Sequence, residues 1–219
     1  METVRIILTG KTPLLMHADN IEWADKMEDW KNNPENRAKS KAGDDRTPPW
    51  RWIGCLYYDD PENGVITVPS ENIMKSIMEG AAKVSTGKRQ ETFKALSQSG
   101  LLCSEFHFPL LIDGKKIPMK AIAELRKLKT FGEHVEAVKD LGFSLFSKRA
   151  RIGTAKHIRV RPRFDRWRVE GEVIITDDQI TKRILQTILD ISGNYKGIGD
   201  WRPSSKTPGV WGTFTAEVL

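Results

Sequence analysis

With only two cysteines, four histidines and three tyrosines in 219 residues, the chain has little material for several common chemistries. Cys55 and Cys103 are separated by 47 intervening residues with no second pair, and His17, His107, His134 and His157 are scattered, so neither a disulfide framework nor a zinc site has the required spacing. Both cysteines read as structural thiols, and no metal or cofactor is expected. No apolar run approaches the length of a membrane span. The opening METVRIILTG lacks the basic start and long apolar stretch of a signal peptide, which predicts a cytoplasmic protein with no membrane partner. A Gly-Lys-Ser/Thr phosphate loop, a nucleophile elbow and kinase signatures are missing. The acidic pairs Asp44-Asp45 and Asp59-Asp60 lie in expected turns, where acids serve the turn itself, which argues against a metal-dependent nuclease. Internal repeats and low-complexity tracts are also absent.

Positive charge, by contrast, is abundant and concentrated. The whole chain carries +6, yet residues 148–168 alone hold nine Lys/Arg (Lys148, Arg149, Arg151, Lys156, Arg159, Arg161, Arg163, Arg166, Arg168) against one acid, Asp165. Such a surplus repels itself unless an anion neutralises it, and a polyphosphate backbone is the common partner. Within this stretch Ile158, Val160 and Pro162 alternate with Arg159, Arg161 and Arg163. This pattern predicts a strand with one buried face and one positive face, turning at 164–166 into a return strand over 167–175. An amphipathic helix follows, with Thr176-Asp177-Asp178-Gln179 as its capping box, Ile180, Ile184, Leu185, Ile188, Leu189 and Ile191 as its stripe, and Gly193 as its C-terminal glycine.

The last segment is GIGDWRPSSKTPGVWGTF. Its glycines, Gly197, Gly199, Gly209 and Gly212, allow close backbone approach, and their amides are expected to cradle an anion. Lys196, Arg202 and Lys206 add charge, while Trp201 and Trp211 offer flat faces for stacking or support the loop.

This order of basic hairpin, helix and glycine loop before a final strand resembles the C-terminal half of a ferredoxin-like domain of the RAMP (repeat-associated) superfamily. That superfamily includes backbone and processing subunits of CRISPR ribonucleoproteins. The loop is similar to its G-x-G, spacer, G-x-G signature, although Gly209-Val210-Trp211-Gly212 is one residue longer. The strand Val4–Leu8 followed by TPLLMH is similar to the opening of backbone subunits and of stand-alone phage-encoded homologues. The resemblance covers roughly residues 1–20, 66–84 and 148–219. It implies an α+β fold, a ferredoxin-like or RRM-like antiparallel sheet with two helices, elaborated by insertions at about 18–52 and 93–147 into a single domain over 1–219.

Upstream, Leu14–Met16 reads as a short extended piece or the start of a helix, 24–31 as a helix and 32–47 as a loop. Trp23, Trp30, Trp50 and Trp52 flank this polar insertion. Residues 53–58 and 65–68 read as a hairpin. Ser70 starts a helix with Ile73, Met74, Ile77, Met78 and Ala81 on one face and a small-residue patch at Gly80-Ala81-Ala82. Residues 93–102 read as helical, 106–112 as a strand with a turn at Asp113-Gly114, and 121–146 as extra strands or short helices.

The functional expectation is a binder of single-stranded nucleic acid, RNA favoured over DNA, held by the arginines and the glycine loop. The resemblance adds copies assembling head to tail, or CRISPR-type subunits, as partners. It also offers an alternative, a metal-independent endoribonuclease using His17, with Asp19 or Asp25 filling the acid position of some backbone subunits; His157 is the other histidine near the basic stretch. One histidine without a proton-donating partner does not make a nuclease. A third reading is a phage protein-interaction module or decoy docking through the tryptophan-rich insertion.

Overall fold

The computed structural model describes residues 1–39, 48–88, 90–152 and 155–219, without the side chains of 37–39, 149–152 and 155–157. The chain opens with β1 (Glu2–Gly10) and β2 (Leu14–Leu15), then α1 (Ile21–Asn32) and α2 (Pro34–Lys39), and continues in a 3-10 turn over Arg51–Cys55. Next come β3 (Thr67–Pro69), α3 (Ser70–Ala81), α4 (Lys94–Gly100), β4 (Leu101–Cys103), β5 (His107–Ile112) and β6 (Lys115–Lys116). Two short helices follow, α5 (Met119–Leu125) and α6 (Phe131–Asp140), before β7 (Ser144–Ile152), β8 (Ala155–Phe164), β9 (Arg168–Ile175), α7 (Lys182–Ile191) and β10 (Phe214–Val218).

The larger sheet runs β10-β1-β9-β5-β3, with β4 also on β9 and β6 on β5, and every pair is antiparallel. With its helices this makes the protein α+β. Val4, Ile6 and Leu8 of β1 and Val169, Val173 and Ile175 of β9 join Ile73, Ile77 and Ala81 of α3 and Leu185, Ile188 and Leu189 of α7 in one core. Each such side chain, fully buried, contributes about 1.5–3 kcal/mol. The stretch 93–147, expected as an insertion, supplies β4 and β5 to this sheet.

The small-residue patch of α3 does bring backbones together. A Cβ on Gly80 would lie 2.1 Å from Ser192 Oγ and 2.8 Å from the Ile188 carbonyl, so no larger residue fits between α3 and α7. Helix α7 starts later than its sequence suggests. Thr181 is the cap, accepting from Ile184 N at 3.3 Å, while Asp177 closes a preceding turn on Gln179 N. It also ends later, in a π turn over Ser192–Lys196, with Gly197 N donating to Ser192 O at 2.8 Å. The outer edge of β10 is closed by Gln186 of α7, whose amide donates to Ala216 O at 2.8 Å and accepts from Val218 N at 2.9 Å. Those contacts blunt an edge that would otherwise pair with another chain.

The smaller sheet runs β2-β8-β7 and corrects the expected hairpin. Strand β8 pairs with β7 from Ser144↔Arg163 to Ile152↔Ala155, and β9 belongs to the other sheet. Phe164 and Trp167 are both buried, which anchors the 164–167 segment in the core on either side of a corner, where Arg163 Nε meets Asp165 at 2.7 Å. The expected strand at 53–58 is likewise a 3-10 turn, because Trp52 to Leu56 are buried consecutively rather than alternately. Trp52 packs on Phe143 (centroids 5.7 Å apart) and Phe143 on Phe164 (5.1 Å), which fastens β8 to this turn. Among the described residues, no helix is long and apolar enough to cross a membrane.

Candidate nucleic-acid interface

The glycine loop is mounted on β2. Asp200 N donates to Leu15 O at 2.9 Å, Gly212 N to Pro13 O at 2.8 Å, and Ile198 N to Gly212 O at 2.9 Å. Gly212 is required there, since its φ is +69° and a Cβ would lie 1.8 Å from the Ile198 carbonyl. This overturns the expected anion cradle at three of its four glycines. The amides of Gly197, Gly209 and Gly212 donate to Ser192, Arg202 and Pro13 carbonyls within the chain. Arg202 is also committed internally, to Glu79 Oε1 of α3 at 3.2 Å and Ser204 Oγ at 2.9 Å.

The basic residues expected together on one hairpin are divided among different settings. Arg161 is only 5% exposed: its Nε donates to Asp200 Oδ2 at 3.0 Å and its terminal nitrogen to Cys55 Sγ at 3.4 Å and Val160 O at 3.2 Å. Buried charge must be paired, so the arginine expected to meet phosphate instead fixes the loop to β8. Arg166 pairs with Asp113 at 2.9 Å and Arg168 with Glu170 at 2.7 Å, where Glu170 also takes Arg5, all at the larger sheet. The side chains of Arg149, Arg151, Lys156 and His157 lie outside the described residues. Arg159 is half-buried, Lys148 and Lys206 are exposed, and Lys196 is half-buried.

Register sets Ser144, Phe146 and Lys148 of β7 opposite Arg163, Arg161 and Arg159 of β8, and the loop brings its two tryptophans to them. Phe146 lies 4.9 Å from Trp211 and 5.9 Å, edge-on, from Trp201. Lys148 Nζ is 4.9 Å from the Trp201 centroid and Arg163 Cζ 5.5 Å from that of Trp211, within cation–π range. All three rings are partly exposed. Trp201 has φ +49°, uncommon for a bulky residue, and Asp200 Oδ1 accepts its amide at 3.0 Å. Phe146 and Asp200 were missed by sequence reasoning. The signal for Phe146 was its period-2 spacing from Lys148; Asp200 carried none beyond preceding Trp201.

His17 is brought to the same place. Its Nδ1 is 3.7 Å from Asp200 Oδ2 and its Nε2 3.7 Å from Asp19 Oδ1, and its carbonyl accepts from the Tyr57 hydroxyl at 2.9 Å. Burial, then the Arg161 charge, hold the imidazole below the ordinary histidine range, against the opposing pull of Asp200 and Asp19. Burial pushes the Cys55 thiol up, only partly offset by Arg161.

The larger sheet offers no comparable surface. Its exposed positions include Thr3, Arg5, Thr9, Arg168 and Glu172, with no ring among them for stacking as an RRM sheet does. The tryptophans around the polar insertion are mostly structural: Trp23 and Trp52 are buried, and Trp50 sits 5.5 Å from Trp23. No cluster of three or more metal-ligating side chains occurs among the described residues. No known family model matches this chain, and no curated protein matches it in sequence.

Proposed function

We propose that this protein binds single-stranded nucleic acid, RNA in preference to DNA, on the surface formed by β7, β8 and the glycine loop. The observation that carries the reading is the row Lys148, Trp201, Phe146, Trp211, Arg163, in which three rings drawn from β7 and the loop are flanked by a cation at each end. Rings stack on bases of any sequence, and cations beside them neutralise phosphate. Lys148 at one end of the row is exposed, and half-buried Arg159 lies opposite it in the β7–β8 register.

The fold belonging to this reading is ferredoxin-like. In chain order β1, α3, β4/β5, β9, α7 and β10 form strand–helix–strand twice, and the sheet order β10-β1-β9-β5 is the one that arrangement requires. Membership of the RAMP superfamily, with copies aligned along a strand or joined to CRISPR-type subunits, is the corresponding proposal for assembly. The test is the salt dependence of binding to a labelled RNA of about 30 nucleotides, wild type against Lys148→Glu/Arg163→Glu. The double variant is expected to bind more weakly, with a log–log slope shallower by about two. An unchanged slope with the variant folded would remove the phosphate path from this surface.

A second reading follows from His17, which stands between Asp200 and Asp19 beside the ring row and is held toward its neutral, proton-accepting form. In it the protein cleaves the strand it binds. His17→Ala would then abolish cleavage of the same RNA on a denaturing gel without weakening binding, and a wild type that leaves the RNA intact rules it out.

A further inference from the structure

Resting on the nucleic-acid reading, we infer that Trp201 is a seat for one unpaired nucleobase and that Asp200 is the positioning residue that holds it in place. Three observations converge on this. Trp201 keeps a backbone conformation that a large side chain rarely adopts, and such strain persists only where the surroundings enforce it. The enforcement comes from Asp200, whose two carboxylate oxygens divide the work: Oδ1 accepts the Trp201 amide at 3.0 Å and Oδ2 takes the buried Arg161 guanidinium at 3.0 Å. Its own amide is tied to Leu15 at 2.9 Å, so the residue before the ring is fixed from β2 and from β8 at once.

The ring so fixed is not packed away. Trp201 is partly exposed, met edge-on by Phe146 at 5.9 Å and covered by the ammonium of Lys148 at 4.9 Å. Lys148 is itself exposed, on a long rotatable stem, and it is the cheapest cover to remove. A base arriving on the indole takes the place of the ammonium, which swings to the phosphate of the same nucleotide. The exchange replaces a solvent-screened cation–π contact with a stacked pair and a charge-assisted contact to phosphate. The site therefore recognises an exposed base together with its phosphate, and a duplex, whose bases are stacked on one another, cannot fill it.

The experiment compares binding of an oligouridylate with a strand of the same length carrying abasic riboses, by fluorescence anisotropy at one salt concentration. Wild type is expected to prefer the base-bearing strand by about tenfold or more, the scale of one stacked base. Titration with that strand should also quench tryptophan emission. Trp201→Leu and Asp200→Ala should each bring the preference close to one, while Asp200→Asn, which keeps an acceptor for the Trp201 amide, retains part of it. Thermal melts identify any variant that fails to fold, and Trp201→Leu, which leaves the ion pair in place, keeps the test decisive if Asp200→Ala does not. Equal binding of both strands by wild type would overturn the nucleobase seat and leave a polyanion surface. A full preference retained in folded Asp200→Ala would overturn the role of Asp200. No binding of either strand would instead remove the nucleic-acid reading itself.

Discussion

The two sheets of this protein use the same alternating pattern to opposite ends. In the larger sheet, β1 and β9 put aliphatic residues into a core shared with α3 and α7 and leave threonines and charges outside. In the smaller sheet, the alternation of β8 sends arginines to one side, and that side is then covered by the glycine loop. The first surface is held by burial of apolar area, which is non-directional. The second is held by an ion pair, cation–π contacts and backbone hydrogen bonds, each of which needs its partner in one place. The difference teaches that polar patterning marks an outward face only when nothing later in the chain returns to cover it.

The contrast can be broken most severely in the larger unit. Ile188→Ala empties a fully buried site between α7 and the sheet and is expected to cost about 2–5 kcal/mol in denaturant unfolding, lowering protection from hydrogen exchange in both sheets. Arg161→Met should cost less, about 1–3 kcal/mol, because Asp200 loses a charged partner but is 21% exposed and regains some water. Its hydrogen-exchange signature should be local, confined to β2, β8 and residues 197–212. Loss of protection in β1 and β9 as well would mean that the two regions unfold as one unit.

The mildest expected effect is on acidification, and it too should fall on the smaller sheet. His134 is completely buried, and its Nδ1 accepts from Trp52 Nε1 at 3.2 Å, which requires the neutral ring. Burial holds its pKa below the ordinary value of 6.5, opposed by a backbone carbonyl contact and Glu133. The unfolded chain therefore binds the proton first. The stabilisation is complete above about pH 6.5 and is lost as pH falls through that value toward the lowered folded one. His17 is shifted the same way and adds to the effect. Melting temperatures measured from pH 8 down to pH 5 should fall across this window in wild type and less in His134→Phe, which keeps the edge contact with Trp52 but cannot take a proton.

Much of the larger unit was legible beforehand. The strand at Val4–Leu8, the helix from Ser70 with its small-residue patch, the stripe from Ile180 to Leu189 and the strand ending at Ile112 are all present, since each follows from local periodicity. The candidate site was legible in composition but not in arrangement. Trp201, Trp211 and Arg163 do converge, whereas Arg161 and Arg202 turn inward to Asp200 and Glu79, and Arg166 and Arg168 lie at the other sheet. Strand β7 was read only at its start, inside a stretch expected to hold extra strands or short helices, because SLFSKRARI mixes ring, hydroxyl and charge without the clean alternation that marks a half-buried strand.

The amino-acid sequence by itself determined where the chain is helical or extended in the core, because burying apolar side chains rewards a period that each segment carries alone. It also determined that positive charge gathers late in the chain. Only the tertiary structure decided that β8 pairs with β7 rather than β9, and that Arg161 meets a carboxylate 39 residues further on. Pairing and charge compensation depend on a partner supplied from elsewhere, and no local pattern names that partner.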